Sequence, residues 1–177
     1  MKHAKGYLLI TAILLHVAIL SGCGYAPSSK FARHIVGDKV STEVVVSQVD
    51  PQNSVLIKDA VDSAVIQSFQ TSLTNREDAH THLKISLTGV SYTPTQYDSN
   101  GYIVGYRAVI SLGIASEHDG KTKQYNVTGN YDFSIEANAI ISDQVRFDAI
   151  KGGASKAINS FVAQVSAQGA RDKKVEE

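Results

Sequence analysis

The stretch that decides the fold is "YIVGYRAVISLGIASEHDGKTKQYNVTGNYDFSI", from Tyr102 to Ile135. Apolar and polar residues alternate in both of its halves, which is typical of β-strands with one buried face. The halves meet at "HDGK", where Asp119 and Gly120 form the Asp-Gly pair favoured in two-residue hairpin turns. The stretch therefore predicts an antiparallel hairpin with one apolar and one polar face.

Two further strands are predicted on the N-terminal side of this hairpin. The segment "HTHLKISLTGVSYTP" (residues 80–94) alternates in the same way, and the turn sequence "DSNG" (residues 98–101) connects it to the hairpin. Gly89 interrupts the alternation and predicts a β-bulge. The segment "KVSTEVVVSQV" (residues 39–49) is rich in β-branched residues and predicts another strand.

Two amphipathic helices are predicted from apolar residues at helical spacing. The first starts at Asp50-Pro51, because proline is tolerated at the first helical position, and its stripe contains Ile57, Val61, Ala64, Val65, Phe69 and Leu73. The second starts near Ser142, and its stripe contains Ile150, Ala154, Ala157, Ile158, Phe161, Val162 and Val165. Gly152 and Gly153 each cost this helix up to about 1 kcal/mol, so they indicate either close packing on the sheet or a break.

The order of these elements predicts an α+β fold. The simplest assembly is a two-layer sandwich, in which both helices pack on one face of a four-stranded, mostly antiparallel sheet. The other face of the sheet is then polar and open to solvent. We assign this domain to residues 39–166 and expect residues 167–177, which are mostly charged, to form a disordered tail.

The N-terminal segment has the pattern of a secretory signal peptide. Lys2 and Lys5 precede an uncharged run from Tyr7 to Leu20, which is shorter than the roughly 20 apolar residues of a membrane-spanning helix. Small residues follow, as at a signal-peptide cleavage site. We therefore assign residues 1–22 to a signal peptide and residues 23–38 to an extended tether.

"LSGC", at Leu20–Cys23, resembles the bacterial lipobox. In such signals the cysteine receives a diacylglycerol and becomes the acylated first residue of the mature chain, and several acyl chains give a durable anchor. The alternative is a chance cysteine after an ordinary signal peptide. Cys23 is the only cysteine, so no intrachain disulfide can form. Residue 24 is Gly and not the Asp that tends to retain lipoproteins in the inner membrane, which favours the outer membrane on its periplasmic side.

Charge and motifs narrow the classes of function. Without residues 1–22 the chain has 15 basic and 17 acidic residues, so no overall basic field favours a nucleic acid. His80 and His82 share one side of a strand, but zinc needs three or four ligands, so we expect exposed strand-edge histidines and no metal. The chain lacks the G-x-S-x-G motif of hydrolases and a phosphate-binding loop. We expect no enzymatic activity and no cofactor.

The chain resembles the LPS-assembly lipoprotein family, LptE. The resemblance lies in the lipobox, the "CGY" start of the mature chain, the order of elements, and the four stretches "DPQNSVLIKDAV", "QYDSNGYIVGYR", "GNYDFSI" and "ISDQVRFDAIK". It implies a non-enzymatic outer-membrane lipoprotein that plugs a large β-barrel, LptD, assists its assembly, and binds lipopolysaccharide.

The resemblance also directs attention to exposed cations, because lipopolysaccharide carries phosphates. The candidate lipopolysaccharide contacts are Lys84, Arg107, Lys121 and Lys123, which we expect to project from one sheet. Two other hypotheses stay open: a periplasm-facing lipoprotein of another family that acts as a binding or structural module, and an envelope hydrolase. A co-purifying barrel would distinguish the LptE-like function from both.

Overall fold

The structure, a computed structural model, describes residues 35–45, 51–69 and 71–176. The described elements are the strands β1 (Lys39–Val45), β2 (Ser72–Leu73), β3 (Thr81–Tyr97), β4 (Ile103–His118) and β5 (Lys121–Ser134), and the helices α1 (Pro51–Phe69) and α2 (Asp143–Glu176). A short 3-10 turn, Arg76–Asp78, lies between β2 and β3. The signal peptide, Cys23 and most of the predicted tether lie outside the described residues, as do residues 46–49 of the first predicted strand.

The α+β class is confirmed, but the sheet differs in detail from the prediction. Within the described residues the sheet has five strands, in the order β2-β1-β3-β4-β5. The meander β3-β4-β5 is antiparallel, whereas β1 runs parallel to both β2 and β3. The prediction of four mostly antiparallel strands is therefore wrong in strand count and in the direction of β1. The physical reason is the crossover: α1 carries the chain back to the end where β1 began, so the strands that follow start beside it.

The two turns and the β-bulge of the meander lie at the positions that were predicted from the sequence. The β3–β4 register shifts between Leu87 and Gly89, as expected of a bulge. Asp98 closes the first turn by accepting hydrogen bonds from the backbone of Asn100 and Tyr102. At the second turn Asp119 and Gly120 both have positive φ, 48° and 71°, which is the geometry of a type I′ hairpin turn.

Both helices pack on the same face of the sheet, here called the inner face. The core joins the apolar stripes of α1 and α2 to the apolar residues of β1, β3, β4 and β5. Phe69 of α1 and Phe161 of α2 are fully buried and meet edge to face, with ring centroids 5.8 Å apart. Ser142 caps α2, since its hydroxyl accepts a hydrogen bond from the backbone N–H of Val145.

Two domain boundaries predicted from the sequence need correction. The helix α2 continues to Glu176, so residues 167–176 are helical where a disordered tail was expected. Gln168 is fixed by the hydroxyl of Tyr125, which donates a hydrogen bond to its amide oxygen. At the other boundary, Val36 was assigned to the tether but is buried in the core, and its carbonyl accepts a hydrogen bond from Thr81.

The glycines of α2 allow its backbone to touch the sheet. A Cβ on Gly129 of β5 would lie 2.0 Å from the carbonyl oxygen of Gly153 and 2.4 Å from the nitrogen of Ala157. A Cβ on Gly152 would meet the ring of Tyr131 at 2.3 Å. Of the two alternatives that the sequence left open, the glycines therefore mark close packing, because the helix runs through them without a break.

The long strands give the domain two ends. At the basal end β3 begins and β4 ends. Residues 35–38 also lie at this end, because the N–H of His80 donates a hydrogen bond to the carbonyl of Lys39 at the start of β1. At the distal end β3 turns into β4 at residues 98–102. Among the described residues, no helix is long and apolar enough to cross a membrane.

Candidate functional site

Two of the four candidate cations, Lys84 and Arg107, lie on the outer face of the sheet, away from the helices. Both occupy exposed positions that alternate with buried ones along their strands. They are not neighbours: Lys84 pairs with Ala115, and Arg107 is eight residues from Ala115 along β4. At about 3.3 Å per residue, the two backbone positions are about 26 Å apart.

Arg107 is held by a carboxylate on the next strand. Its Nε and Nη2 donate hydrogen bonds to the two oxygens of Asp132, at 2.6 and 2.9 Å. This hydrogen bonding lowers the pKa of Asp132 below its ordinary value of 3.8 and raises the pKa of Arg107. A phosphate that bound Arg107 would have to compete with this bidentate pair.

We expect the Arg107–Asp132 pair to make a small contribution to stability that depends on pH. Because the folded-state pKa of Asp132 is depressed, the contribution is present above about pH 4 and is lost as the pH falls through the depressed value. Asp132→Asn should lower Tm on the order of 1 °C at pH 7, since exposed pairs are weak, and should leave Tm unchanged at pH 2.5. Thermal melting of both proteins at the two pH values measures this difference.

The exposed carboxyl of Glu136, in the loop after β5, provides the control. Glu136→Gln should leave Tm unchanged at both pH values. An equal effect of Asp132→Asn at pH 7 and pH 2.5 would contradict the assigned ion pair.

The other two candidate cations, Lys121 and Lys123, belong to the inner face and not to the outer face. They have the same parity along β5 as Tyr125 and Val127, which pack on the helix side. Lys123 pairs with Ser116, which is buried on that side, and Lys121 pairs with His118. The structure therefore does not bring the four cations together: it places two on the outer face and two at the basal end of the inner face.

Lys121 and Lys123 open onto a cavity of about 270 Å³, here called the basal cavity. Its remaining lining residues come from the segment before β1, from the end of β4 and its turn, from β5 and from α2: Ile35, Ser116, His118, Asp119, Tyr125 and Asp172. Within the described part of the chain, neither lysine takes part in an ion pair. The cavity combines cations, carboxylates and an apolar wall, so it can bind a small ligand with several polar groups.

Tyr125 both lines the basal cavity and packs against the hydrophobic core. Its ring packs edge to face on Phe161, with centroids 5.0 Å apart, and its hydroxyl donates a hydrogen bond to Gln168. Burial raises the pKa of Tyr125, and the carboxylate of Asp172 raises it further. The hydroxyl therefore stays neutral at physiological pH and lies within the field of Asp172.

A second polar cluster lies on the outer face at the basal end, around His82. The Ser41 hydroxyl is 2.7 Å from Nδ1 of His82, and Nε2 of His82 is 3.2 Å from Glu43. Arg76 pairs with Glu117 at 2.8 Å and approaches Glu43 at 3.9 Å. His82 is buried, which corrects the expectation of two exposed strand-edge histidines, and the cause is the pairing of β1 with β3 in parallel register.

The serine and histidine of this cluster do not form an accessible nucleophile. Ser41 is only 4% exposed, so a substrate has no path to its hydroxyl in this arrangement. Its contact with the His82 ring satisfies two buried polar groups between β1 and β3. No group of three or more His, Cys, Asp or Glu residues suited to a metal ion is found within residues 35–45, 51–69 and 71–176.

The chain is similar in structure to several solved bacterial lipoproteins. A candidate lipoprotein from Caulobacter crescentus CB15 superposes with a TM-score of 0.52 and 9% identity, over 81% of this chain and 96% of that chain. A minor lipoprotein from Acinetobacter baumannii gives a TM-score of 0.47 and 12% identity, over 76% and 94%. The rare lipoprotein B from Shewanella oneidensis gives 0.39 and 8%, over 78% and 95%. No protein-family model and no curated protein sequence matches the chain.

The similarity to the Caulobacter protein is one of architecture alone, because only 9% of the residues are identical. Sequence reasoning identified Lys121 and Lys123 but missed Ile35, Tyr125 and Asp172 as parts of the same cavity. The signal for Tyr125 was present, since its parity along β5 equals that of the two lysines. Asp172 carried no such signal, because its position depends on how far α2 continues.

Proposed function

We propose that the protein is an outer-membrane lipoprotein, anchored through Cys23, that assists lipopolysaccharide assembly as the partner of an LptD-type β-barrel. The observation that carries the proposal is the lipobox-like Leu20–Cys23 directly after an uncharged run of signal-peptide length. The shared fold with a candidate lipoprotein is compatible with it. The described chain begins at the basal end, so the lipid would be attached through residues 24–34 to that end of the domain.

The outer face has the properties of a surface that contacts a water-lined partner. Along β5 its exposed side chains are mostly neutral hydroxyls and amides: Thr122, Gln124, Asn126, Thr128 and Asn130. Such groups exchange hydrogen bonds with polar walls or bridging water without the cost of burying a charge. A plug inside the lumen of a β-barrel needs this kind of surface, and the proposal assigns the outer face to that contact.

The basal cavity favours a second candidate function, a lipid-anchored binding module. Lys121, Lys123 and Asp172 surround a volume that is large enough for a small polar ligand. In this alternative the anchor holds the cavity at the membrane, and no barrel partner is required.

Cys23→Ala is expected to abolish lipidation completely, because the thiol is the only one in the chain. The variant should keep its signal peptide or be released from the outer membrane, and labelled palmitate should not enter it. Mass spectrometry of the N-terminal peptide and membrane fractionation measure both effects. Ser21→Ala, which keeps a small residue before the cleavage point, serves as the matched control and should be lipidated normally.

The barrel partnership is tested by purification of the lipidated protein in mild detergent. A stoichiometric outer-membrane β-barrel should co-purify and be identified by mass spectrometry. Substitution of Asn126 and Asn130 by Lys on the outer face should reduce its recovery at least tenfold, whereas Gln164→Lys, at an exposed position of α2, should not. Recovery of a monomeric lipoprotein without any barrel would reject the barrel role and leave the binding module.

A further inference from the structure

We propose that the basal cavity binds a zwitterionic lipid headgroup, in which a phosphate is joined by a short linker to a primary ammonium, as in phosphoethanolamine. This goes beyond the proposed role in lipopolysaccharide assembly, and it rests on the lipid anchor only for the position of the cavity at the membrane. Three features of the cavity fit such a headgroup: its paired charges, its size and its place in the fold.

The cations of the basal cavity are available for an anion. Lys121 and Lys123 alternate with Thr122 along β5, so both side chains leave the same face of the strand about 7 Å apart. Both are exposed, and within the described residues neither is neutralised by a salt bridge. Two ammonium groups beside one cavity can meet the oxygens of a single phosphate.

The carboxylates of the basal cavity favour binding of a zwitterion over binding of a simple anion. Asp119 and Asp172 also line it, so its formal charge is balanced and it attracts a free phosphate only weakly. Asp119 already lies 3.4 Å from Nε2 of His118, so Asp172, which lines the cavity together with Tyr125, is the carboxylate left for a ligand cation. A ligand with its own ammonium group satisfies Asp172 while its phosphate contacts the lysines.

The size of the cavity fits a headgroup and not a whole lipid. Its volume of about 270 Å³ lies just below the range of about 300–1,000 Å³ for small-molecule sites. Ile35 supplies an apolar contact for the glycerol carbons, and Tyr125 supplies an aromatic wall. The acyl chains would remain outside the cavity.

The position of the cavity favours a lipid as the source of the headgroup. Ile35 is the first described residue and lines the cavity, so the mouth lies beside the point where the N-terminal segment leaves the domain. Cys23 precedes Ile35 by twelve residues, which span at most about 42 Å when fully extended. An anchor at Cys23 would therefore keep the cavity within reach of the headgroups of the same membrane.

The test is an NMR titration of the full-length protein, purified in dodecyl maltoside, with soluble headgroup compounds. Glycerophosphoethanolamine is the main probe. Inorganic phosphate and ethanolamine test the two halves separately, and glycerophosphocholine tests the need for N–H donors. We expect glycerophosphoethanolamine to shift the amide signals of residues 116–125 and to bind at least tenfold more tightly than the other three compounds.

Single substitutions test which cavity residues contact the phosphate and the ammonium of the ligand. Lys123→Ala and Asp172→Asn should each weaken glycerophosphoethanolamine binding at least fivefold. Lys84→Ala, an exposed lysine on the outer face, should leave the affinity unchanged. The thermal melts of all three variants should match that of the wild type, because these side chains are not part of the core.

Each outcome decides the proposal. Absence of shifts at 20 mM glycerophosphoethanolamine overturns it, and equal binding of inorganic phosphate overturns the zwitterion and leaves an anion site. An equal loss in Lys84→Ala overturns the location. N-terminal mass spectrometry of the same sample reports lipidation independently, so failure of the anchor and failure of the cavity are distinguishable.

Discussion

Phe161→Asp is expected to abolish the cooperative folding of the domain. Phe161 is fully buried, and its ring contacts Phe69 of α1 and Tyr125 of β5, so it joins the two helices to the sheet. Loss of a buried phenylalanine costs about 3–5 kcal/mol, and an unpaired buried carboxylate adds several kcal/mol. The sum approaches or exceeds the total stability of about 5–15 kcal/mol that is usual for a domain.

Thermal melting followed by circular dichroism, together with limited proteolysis, measures this effect. Ala163→Asp is the matched control, because it places the same charge two residues away on the exposed side of α2. It should melt within 2 °C of the wild type. If Phe161→Asp also melts near the wild-type temperature, the apolar stripe of α2 does not face the core.

Gly129→Ala is expected to have the second largest effect, although it adds only one methyl group. The new Cβ would overlap the Gly153 oxygen and the Ala157 nitrogen of α2. These are backbone atoms, so no side chain can rotate away and the helix itself must move. Overpacking of this kind costs about 3 kcal/mol, which corresponds to a fall in Tm of about 10 °C for a chain of this length.

The control for this prediction is Gly89→Ala, at the bulge of β3. A Cβ at Gly89 would find its nearest neighbour, Cβ of Ser111, at 3.8 Å, which is an ordinary contact. The same chemical change should therefore leave Tm within about 2 °C of the wild type. Equal melting temperatures for the two variants would show that α2 is not seated on β5.

The antiparallel half of the fold could be predicted because its signals are local. Alternation defined the meander, the Asp-Gly and "DSNG" turns fixed its connections, and Gly89 indicated the bulge. Ser142 marked the start of α2 through its capping hydroxyl. Each of these features depends on residues within a few positions of one another.

The parallel half could not be predicted as well, because it depends on contacts distant in sequence. β2 contains only Ser72 and Leu73, which is too short to show alternation, and Leu73 also fits the helical spacing of the α1 stripe. The direction of β1 relative to β3 depends on the path of α1 through the fold, and this path cannot be predicted from composition. A helix between two strands of one sheet is nevertheless evidence for a parallel pair.

In the candidate site, too, local features could be predicted from the sequence and features that depend on distant contacts could not. Parity along β5 places Lys121 and Lys123 on the face of Tyr125, so counting alternate residues would have separated them from Arg107. The pairing of Arg107 with Asp132 required the β4–β5 register, which the sequence does not fix to one residue. Asp172 required the full length of α2.

The position of β1 in the sheet has a consequence for the order of folding. The strands β3, β4 and β5 are joined by connections of five and two residues, so each can find its partner through a short loop. β1 pairs on both sides with strands that follow it in the chain, and α1 separates it from them. Non-local pairing of this kind is slow, so we expect β1 to insert into a meander that has already formed. The sheet therefore has a fast, local half and a slow, non-local half, and the proposed lipid anchor is attached to the slow one.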